Sequence, residues 1–110
     1  EAEKFLREAR AAAQLRHPNI VSVHEVGREA DLIYIVCDFV EGVSLADWLT
    51  GHRLSPREAA RLAAKLARAL QHAHDAGVIH RDVKPQNILI DAAGEPHRPT
   101  SAWPGAKRAR

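Results

Sequence analysis

The sequence has 110 residues, enough for one small domain and too few for two. Its formal charge of +2 belongs to the tail: Arg98, Lys107, Arg108 and Arg110 all follow Glu95, the last acid, so residues 1–95 hold twelve basic side chains against fourteen acidic ones. A nucleic-acid role would rest on that tail alone, no apolar run approaches the ~18 residues of a membrane helix, and the single cysteine, Cys37, excludes an internal disulfide and a thiolate zinc site and fits a reducing compartment.

Residues 3–16 are strong helix formers without Gly or Pro, and His17-Pro18-Asn19 ends the helix because the residue before proline is driven out of the α region. Phe5, Ala12 and Leu15 share one face. Glu8 falls within that stripe, where a carboxylate is either solvated at the edge or in need of a partner cation. Residues 20–26 alternate and are rich in β-branched side chains, 27–31 are polar turn material, and 32–40 are almost continuously apolar. This pattern predicts an antiparallel hairpin whose second strand is buried on both faces.

Glu41-Gly42-Val43-Ser44 breaks the pattern, and 45–50 read as a short helix ended by Gly51. The clearest helix follows. Ser55 with Glu58 three residues on makes a capping box, Pro56 takes the first helical position, and Gly77 closes the far end. Ala59, Leu62, Ala63, Leu66, Leu70 and Ala73 form its apolar face, with Arg57, Arg61, Lys65, Arg68 and Asp75 opposite. Val78-Ile79 leads into a polar run at 80–87, then the apolar Ile88-Leu89-Ile90 and a turn at 91–94. From Pro96 the chain has three prolines and no periodicity, and little order is expected.

His72 and His74 are two apart on a helix and point in different directions, which argues against a helical metal pair. The run at 80–87 is more informative because it concentrates polar groups between two apolar segments, where a short loop holds its side chains rigidly. A carboxylate such as Asp82 can receive a hydroxyl proton, an ammonium such as Lys84 can neutralise transferred phosphoryl charge, and the amide oxygen of Asn87 suits a hard cation. The three types together suit phosphoryl transfer.

His80-Arg81-Asp82-Val83-Lys84-Pro85-Gln86-Asn87-Ile88-Leu89 resembles the catalytic loop of eukaryotic-type protein kinases, with Val83 where the pattern has Leu. Lys84-Pro85 is similar to the serine/threonine branch. Phe5-Leu6-Arg7-Glu8-Ala9 resembles the kinase C-helix, and His17-Pro18-Asn19-Ile20-Val21 the turn into the fourth strand. Residues 32–38 resemble the fifth strand, with Cys37 at the gatekeeper position and Asp38 to Gly42 as the hinge. The resemblance covers residues 1–97. It implies an α+β fold, part of a protein kinase: 1–40 from the N-lobe, 41–45 the hinge, 46–97 from the C-lobe, and an aberrant, disordered tail over 98–110.

The same resemblance implies the roles. Asp82 would be the catalytic base, Lys84 would contact the γ-phosphate, and Asn87 would bind magnesium. Glu8 would pair with the ATP-orienting lysine. Asp38 and Val40 belong to the hinge, where Val40 would offer its backbone to adenine, and Leu89 would floor the pocket; plain core packing is the competing reading of Val40 and Leu89. His80 would be scaffold and Arg81 would receive activation-loop phosphate. ATP and Mg2+ are the implied cofactors, a protein Ser or Thr hydroxyl the implied substrate, and no nucleic acid or membrane segment is implied for this chain. A dead kinase-like binding module is the alternative, although retention of Asp82, Lys84 and Asn87 speaks against it.

Several kinase parts have no counterpart here: the glycine-rich loop, the strand lysine, the Asp-Phe-Gly motif and the activation segment. The chain opens on Glu1 inside a helix and contains no methionine, so it reads as an inactive fragment. Arginine outnumbers lysine twelve to four, which suggests a GC-rich bacterial source, and the expected location is cytoplasmic, with any membrane anchor of the longer protein outside these residues. The missing Asp-Phe-Gly has a candidate explanation in the genetic code. Arg-Pro-Thr-Ser-Ala-Trp-Pro at 98–104 can be encoded CGA CCG ACT TCG GCC TGG CCC. Two bases on, the same string reads ACC GAC TTC GGC CTG GCC, which is Thr-Asp-Phe-Gly-Leu-Ala. A frame change near residue 98 is therefore expected, with Ala106-Lys107-Arg108 as a possible return to frame.

Overall fold

The structure, a computed structural model, describes residues 2–78 and 83–99; the expectations for His80, Arg81, Asp82 and residues 100–110 lie outside the described residues. In chain order it contains α1 (Ala2–Ala12), β1 (Val23–Glu29), β2 (Leu32–Cys37), β3 (Gly42–Ser44), α2 (Leu45–Gly51), α3 (Pro56–Asp75), a 3-10 turn (Pro85–Asn87), β4 (Leu89–Asp91) and β5 (Pro96–His97). The architecture is α+β. One sheet is the β1-β2 hairpin and the other has the antiparallel order β3-β4-β5.

α3 starts and stops where its local chemistry dictates. Ser55 accepts the N–H of Glu58 at 3.1 Å while the Glu58 carboxylate accepts the N–H of Ser55 at 2.9 Å, so two otherwise orphaned donors are satisfied reciprocally. At the far end the Gly77 N–H reaches the His74 carbonyl and the Val78 N–H reaches the Ala73 carbonyl, both at 2.9 Å. This is a Schellman closure, and it needs the left-handed φ of +82° that Gly77 supplies without a Cβ penalty. α2 also has a side-chain cap, Ser44 accepting the N–H of Asp47 at 3.1 Å.

The strands depart further from the sequence reading. β1 begins at Val23 and runs through Gly27, Arg28 and Glu29, residues of turn-like composition. Pairing of Glu29 with Leu32 leaves only Ala30 and Asp31 for the turn, and Ala30 takes a φ of +54°. Long-range pairing with β2 outweighs the polar composition, since solvent-facing positions of a strand accept charge. β2 is not buried on both faces: Leu32 is 74% exposed, Tyr34 40% and Val36 36%. Among the described residues only β1 pairs with it, and of its two faces the one bearing Ile33, Ile35 and Cys37 is half-buried while the other is open. Gly42-Val43-Ser44, read as a breaker, forms β3 against Asp91, Ile90 and Leu89. A Cβ on Gly42 would stand 2.0 Å from the Ile90 carbonyl oxygen, so this close approach depends on its absence.

The core lies in two clusters bridged by α3. Leu15, Ile20, Ala69, Ala73 and Val78 form one; Leu45, Ile88 and Ile90, with Trp48, Leu62 and Leu66 against them, form the other. The apolar face expected on α3 is thus divided, with Ala69 added to it and Ala59 and Ala63 exposed because the short sheet and α2 leave them uncovered. Arg98, the first residue assigned to the tail, is held by the fold. Arg98 is buried, bridges to Ile20 and exchanges backbone bonds with this segment, its N–H donating to the Asn19 carbonyl at 3.1 Å and its carbonyl accepting the Val21 N–H at 2.8 Å.

Candidate active site

Residues 83–87 lead into the core through a 3-10 turn. Pro85 opens the 3-10 turn, and the N–H of Asn87 donates to the Lys84 carbonyl at 2.9 Å. Ile88 and Ile90, 4% and 1% exposed, then fix the chain into the second cluster, and the Ile88 carbonyl accepts the N–H of Leu45 at 2.7 Å. Lys84 and Asn87 are therefore held three residues apart on one short turn, the lysine exposed and the asparagine half-buried. Asp82 lies outside the described residues. Leu89 is half-buried in β4, paired with Ser44 on one side and His97 on the other.

Asp38 and Val40 line a second region, a cleft of about 420 Å3 between the segment after β2, the turn after α1 and the β4-β5 edge. Asp38 pairs with Nε2 of His24 on β1, and its N–H donates to the Ser22 carbonyl at 2.9 Å. Lys84, Asn87 and Leu89 are not among the residues lining this cleft, although β4 carries Asp91, two positions after Leu89, into its wall. Glu8 is exposed on α1. The buried stripe of that helix is Leu6, Ala9 and Ala12 rather than the Phe5-based face; at about 100° per residue Glu8 stands about 40° past Ala12, beside this stripe.

Two polar arrangements have weak sequence signals. Asp91 Oδ1 accepts the N–H groups of Ala93 and Glu95 at 2.9 and 3.0 Å, and Oδ2 pairs with His97 Nε2 at 2.8 Å. The Glu95 N–H, then the His97 ring, hold its carboxyl below the ordinary carboxylate range against the opposing effect of burial. An Asp three residues before Gly94 signals the turn, but nothing local announces the histidine. Asn19, 7% exposed, donates its side-chain amide to the Pro96 carbonyl at 2.9 Å, across 77 positions. Among the described residues no group of three or more His, Cys, Asp or Glu side chains could hold a metal, and no helix is long and apolar enough to cross a membrane.

Helix α1, the hairpin, the linking segment, α3 and the loop entering β4 appear in the order the catalytic-loop resemblance requires, and the protein kinase domain family matches residues 1–98. The chain belongs to that family. It is 46% identical over 92 residues to the serine/threonine-protein kinase PrkC of Bacillus subtilis, covering 83% of this chain and 14% of that protein. It is 47% identical over 92 residues to a probable serine/threonine-protein kinase of Clostridium perfringens, covering 83% of this chain and 13% of that protein. Against the probable serine/threonine-protein kinase PknB of Lactococcus lactis the identity is 41% over 92 residues, 83% of this chain and 15% of that protein. The chain thus corresponds to about one seventh of the length of these bacterial relatives.

Proposed function

We propose that this chain is the part of a bacterial serine/threonine protein kinase running from the C-helix through the catalytic loop, and that the complete protein transfers the γ-phosphate of ATP to protein Ser or Thr hydroxyls. In this reading residues 1–40 come from the N-lobe, 41–45 are the hinge, 46–97 come from the C-lobe, and the sequence of 98–110 falls outside the kinase pattern. The observation that carries the reading is the pairing of Lys84 and Asn87 on one proline-opened turn, anchored by Ile88 and Ile90, directly after Asp82 in the sequence.

The donor chemistry fits the implied cofactors. The carboxamide oxygen of Asn87 is a hard ligand suited to Mg2+, and the Lys84 ammonium suits a phosphoryl oxygen. Mg2+-ATP, when bound, supplies the transferable phosphoryl group and the charge neutralisation. The chain's own contributions are then positional and acid-base. Asp82 orients the substrate hydroxyl and takes its proton as the new O–P bond forms and the bond to the ADP oxygen breaks. Lys84 balances charge on the transferring group. Asp38 and Val40, leading into the hinge, meet the nucleotide base, Leu89 floors its pocket, and Glu8 orients a phosphate-binding lysine that this chain does not supply.

Phosphotransfer from labelled ATP to a generic Ser/Thr substrate provides the test. The 110-residue chain is expected to transfer no phosphate, because the glycine-rich loop, the strand lysine and the Asp-Phe-Gly motif have no counterpart in it. A protein completed to the full kinase domain is expected to be active and to lose at least ~100-fold in rate on Asp82→Asn, the ordinary scale of a general base, with an unchanged fold by circular dichroism. Activity of the completed domain that is indifferent to Asp82→Asn would refute the role assignment.

A further inference from the structure

One titratable ring sits where the turn after α1 meets two other parts of the chain. His17 Nδ1 accepts the backbone N–H of Asn19 at 3.1 Å, so that nitrogen carries no proton. Asn19 passes the order onward through its amide bond to the Pro96 carbonyl and its own carbonyl's bond from the Arg98 N–H. On the other side the His17 ring lies against His72 of α3, centroids 5.3 Å apart and planes tilted by 46°, with Arg68 one turn earlier on the same helix. Asp38, Glu41, Asp91 and His97 line the cleft that His17 also borders. Those carboxylates favour a charged ring. Burial first, then His72 and Arg68, outweigh them and hold the His17 pKa below its ordinary value of 6.5.

We propose that His17 is a proton-sensitive latch: when neutral it fastens the turn to β5 and α3, and when protonated it loses its bond from Asn19, sets a second positive charge against Arg68, and releases the turn. The consequence extends from the turn to β5 and Arg98, because Asn19 holds both Pro96 and Arg98. This inference does not depend on the kinase reading.

The direction follows from linkage. With the folded-state pKa below the unfolded one, the unfolded chain takes up the proton first as pH falls. The latch's contribution is therefore fully present above about pH 6.5 and declines below it, until the folded-state ring also protonates.

The test compares the 110-residue chain with His17→Asn and His72→Gln. The first substitution would place a carboxamide oxygen near the position of Nδ1, able to accept from the N–H two residues on in an Asx turn but unable to titrate. Between about pH 7.5 and about pH 5.5 the wild-type chain is expected to lose urea resistance. Its Asn19 and Arg98 amides should exchange with solvent about tenfold faster, after correction for intrinsic rates, for each unit by which the His17 pKa is lowered. His17→Asn is expected to remove this pH dependence. Equal pH dependence in both proteins, or a His17 imidazole that titrates above 6.5 by NMR, overturns the proposal. His72→Gln decides the matter if His17→Asn does not fold. It is expected to raise the His17 titration midpoint, and an unchanged midpoint counts against the latch.

Discussion

Arg98 is bonded to Asn19 as a strand residue would be, N–H to carbonyl at 3.1 Å, while its side chain is 2% exposed with Nε and Nη2 lacking partners among the described residues. Burial lowers the guanidinium pKa to about 10. Backbone and side chain thus disagree: the position has the pairing and burial of an apolar core site, and it holds a charged fork. Burying an uncompensated polar group costs about 1–3 kcal/mol on mutational scales, and a charge costs more. Arg98→Leu is therefore expected to raise the urea midpoint by an amount worth at least ~1 kcal/mol. A drop in the midpoint would mean that the guanidinium is compensated.

The same position is where the family match ends, at residue 98. A frame change there would account for both the buried charge and the absence of Asp-Phe-Gly from 98–104. The gene sequence checks it directly: the codons for these residues, read two bases on, are expected to spell Thr-Asp-Phe-Gly-Leu-Ala. Any other reading sinks the idea and makes the tail a divergence of this chain.

The α3 capping box gives a stability and pH prediction. Ser55→Ala is expected to cost about 1 kcal/mol, the usual worth of a side-chain N-cap. The Ser55 backbone N–H, then its side chain, hold the Glu58 carboxyl below its ordinary value of 4.5. A lowered carboxyl contributes stability above its unfolded-state pKa and loses it as pH falls through the folded value. Glu58→Gln should therefore flatten the acid limb of a pH–stability profile below about pH 4.5 and leave the limb near neutrality alone. An unchanged acid limb would place the acid sensitivity elsewhere, with Asp91 the next carboxyl to replace.

β2 predicts a liability. Its six residues, Leu-Ile-Tyr-Ile-Val-Cys, carry no charge, and Leu32, Tyr34 and Val36 lie open to solvent. Uncharged exposed strands recruit dye, ligand or another strand. The 110-residue chain is expected to be marginally stable, to bind a hydrophobic-surface dye and to self-associate with rising concentration. Val36→Lys should reduce both dye binding and self-association. Cooperative unfolding of a monomer with no dye signal would contradict the exposure of this face.

The sequence by itself determined the features whose causes lie within a few residues. Ser55, Pro56 and Glu58 start α3 and Gly77 ends it because capping bonds span three to five positions. The motif at 80–89 was legible for the same reason, and through it the family. The tertiary structure decided the strands and the burial. Gly42-Val43-Ser44 becomes β3 only because Leu89, Ile90 and Asp91 arrive from more than forty positions away, and β1 extends through Glu29 only because β2 pairs with it. Glu8 stands outside the buried stripe because Leu6 and Ala9, not Phe5, meet the core. Asn19 reaches Pro96, His24 meets Asp38, and Arg98 is buried for a like reason: each depends on a partner distant in the chain, and local propensity carries no information about which distant group will arrive.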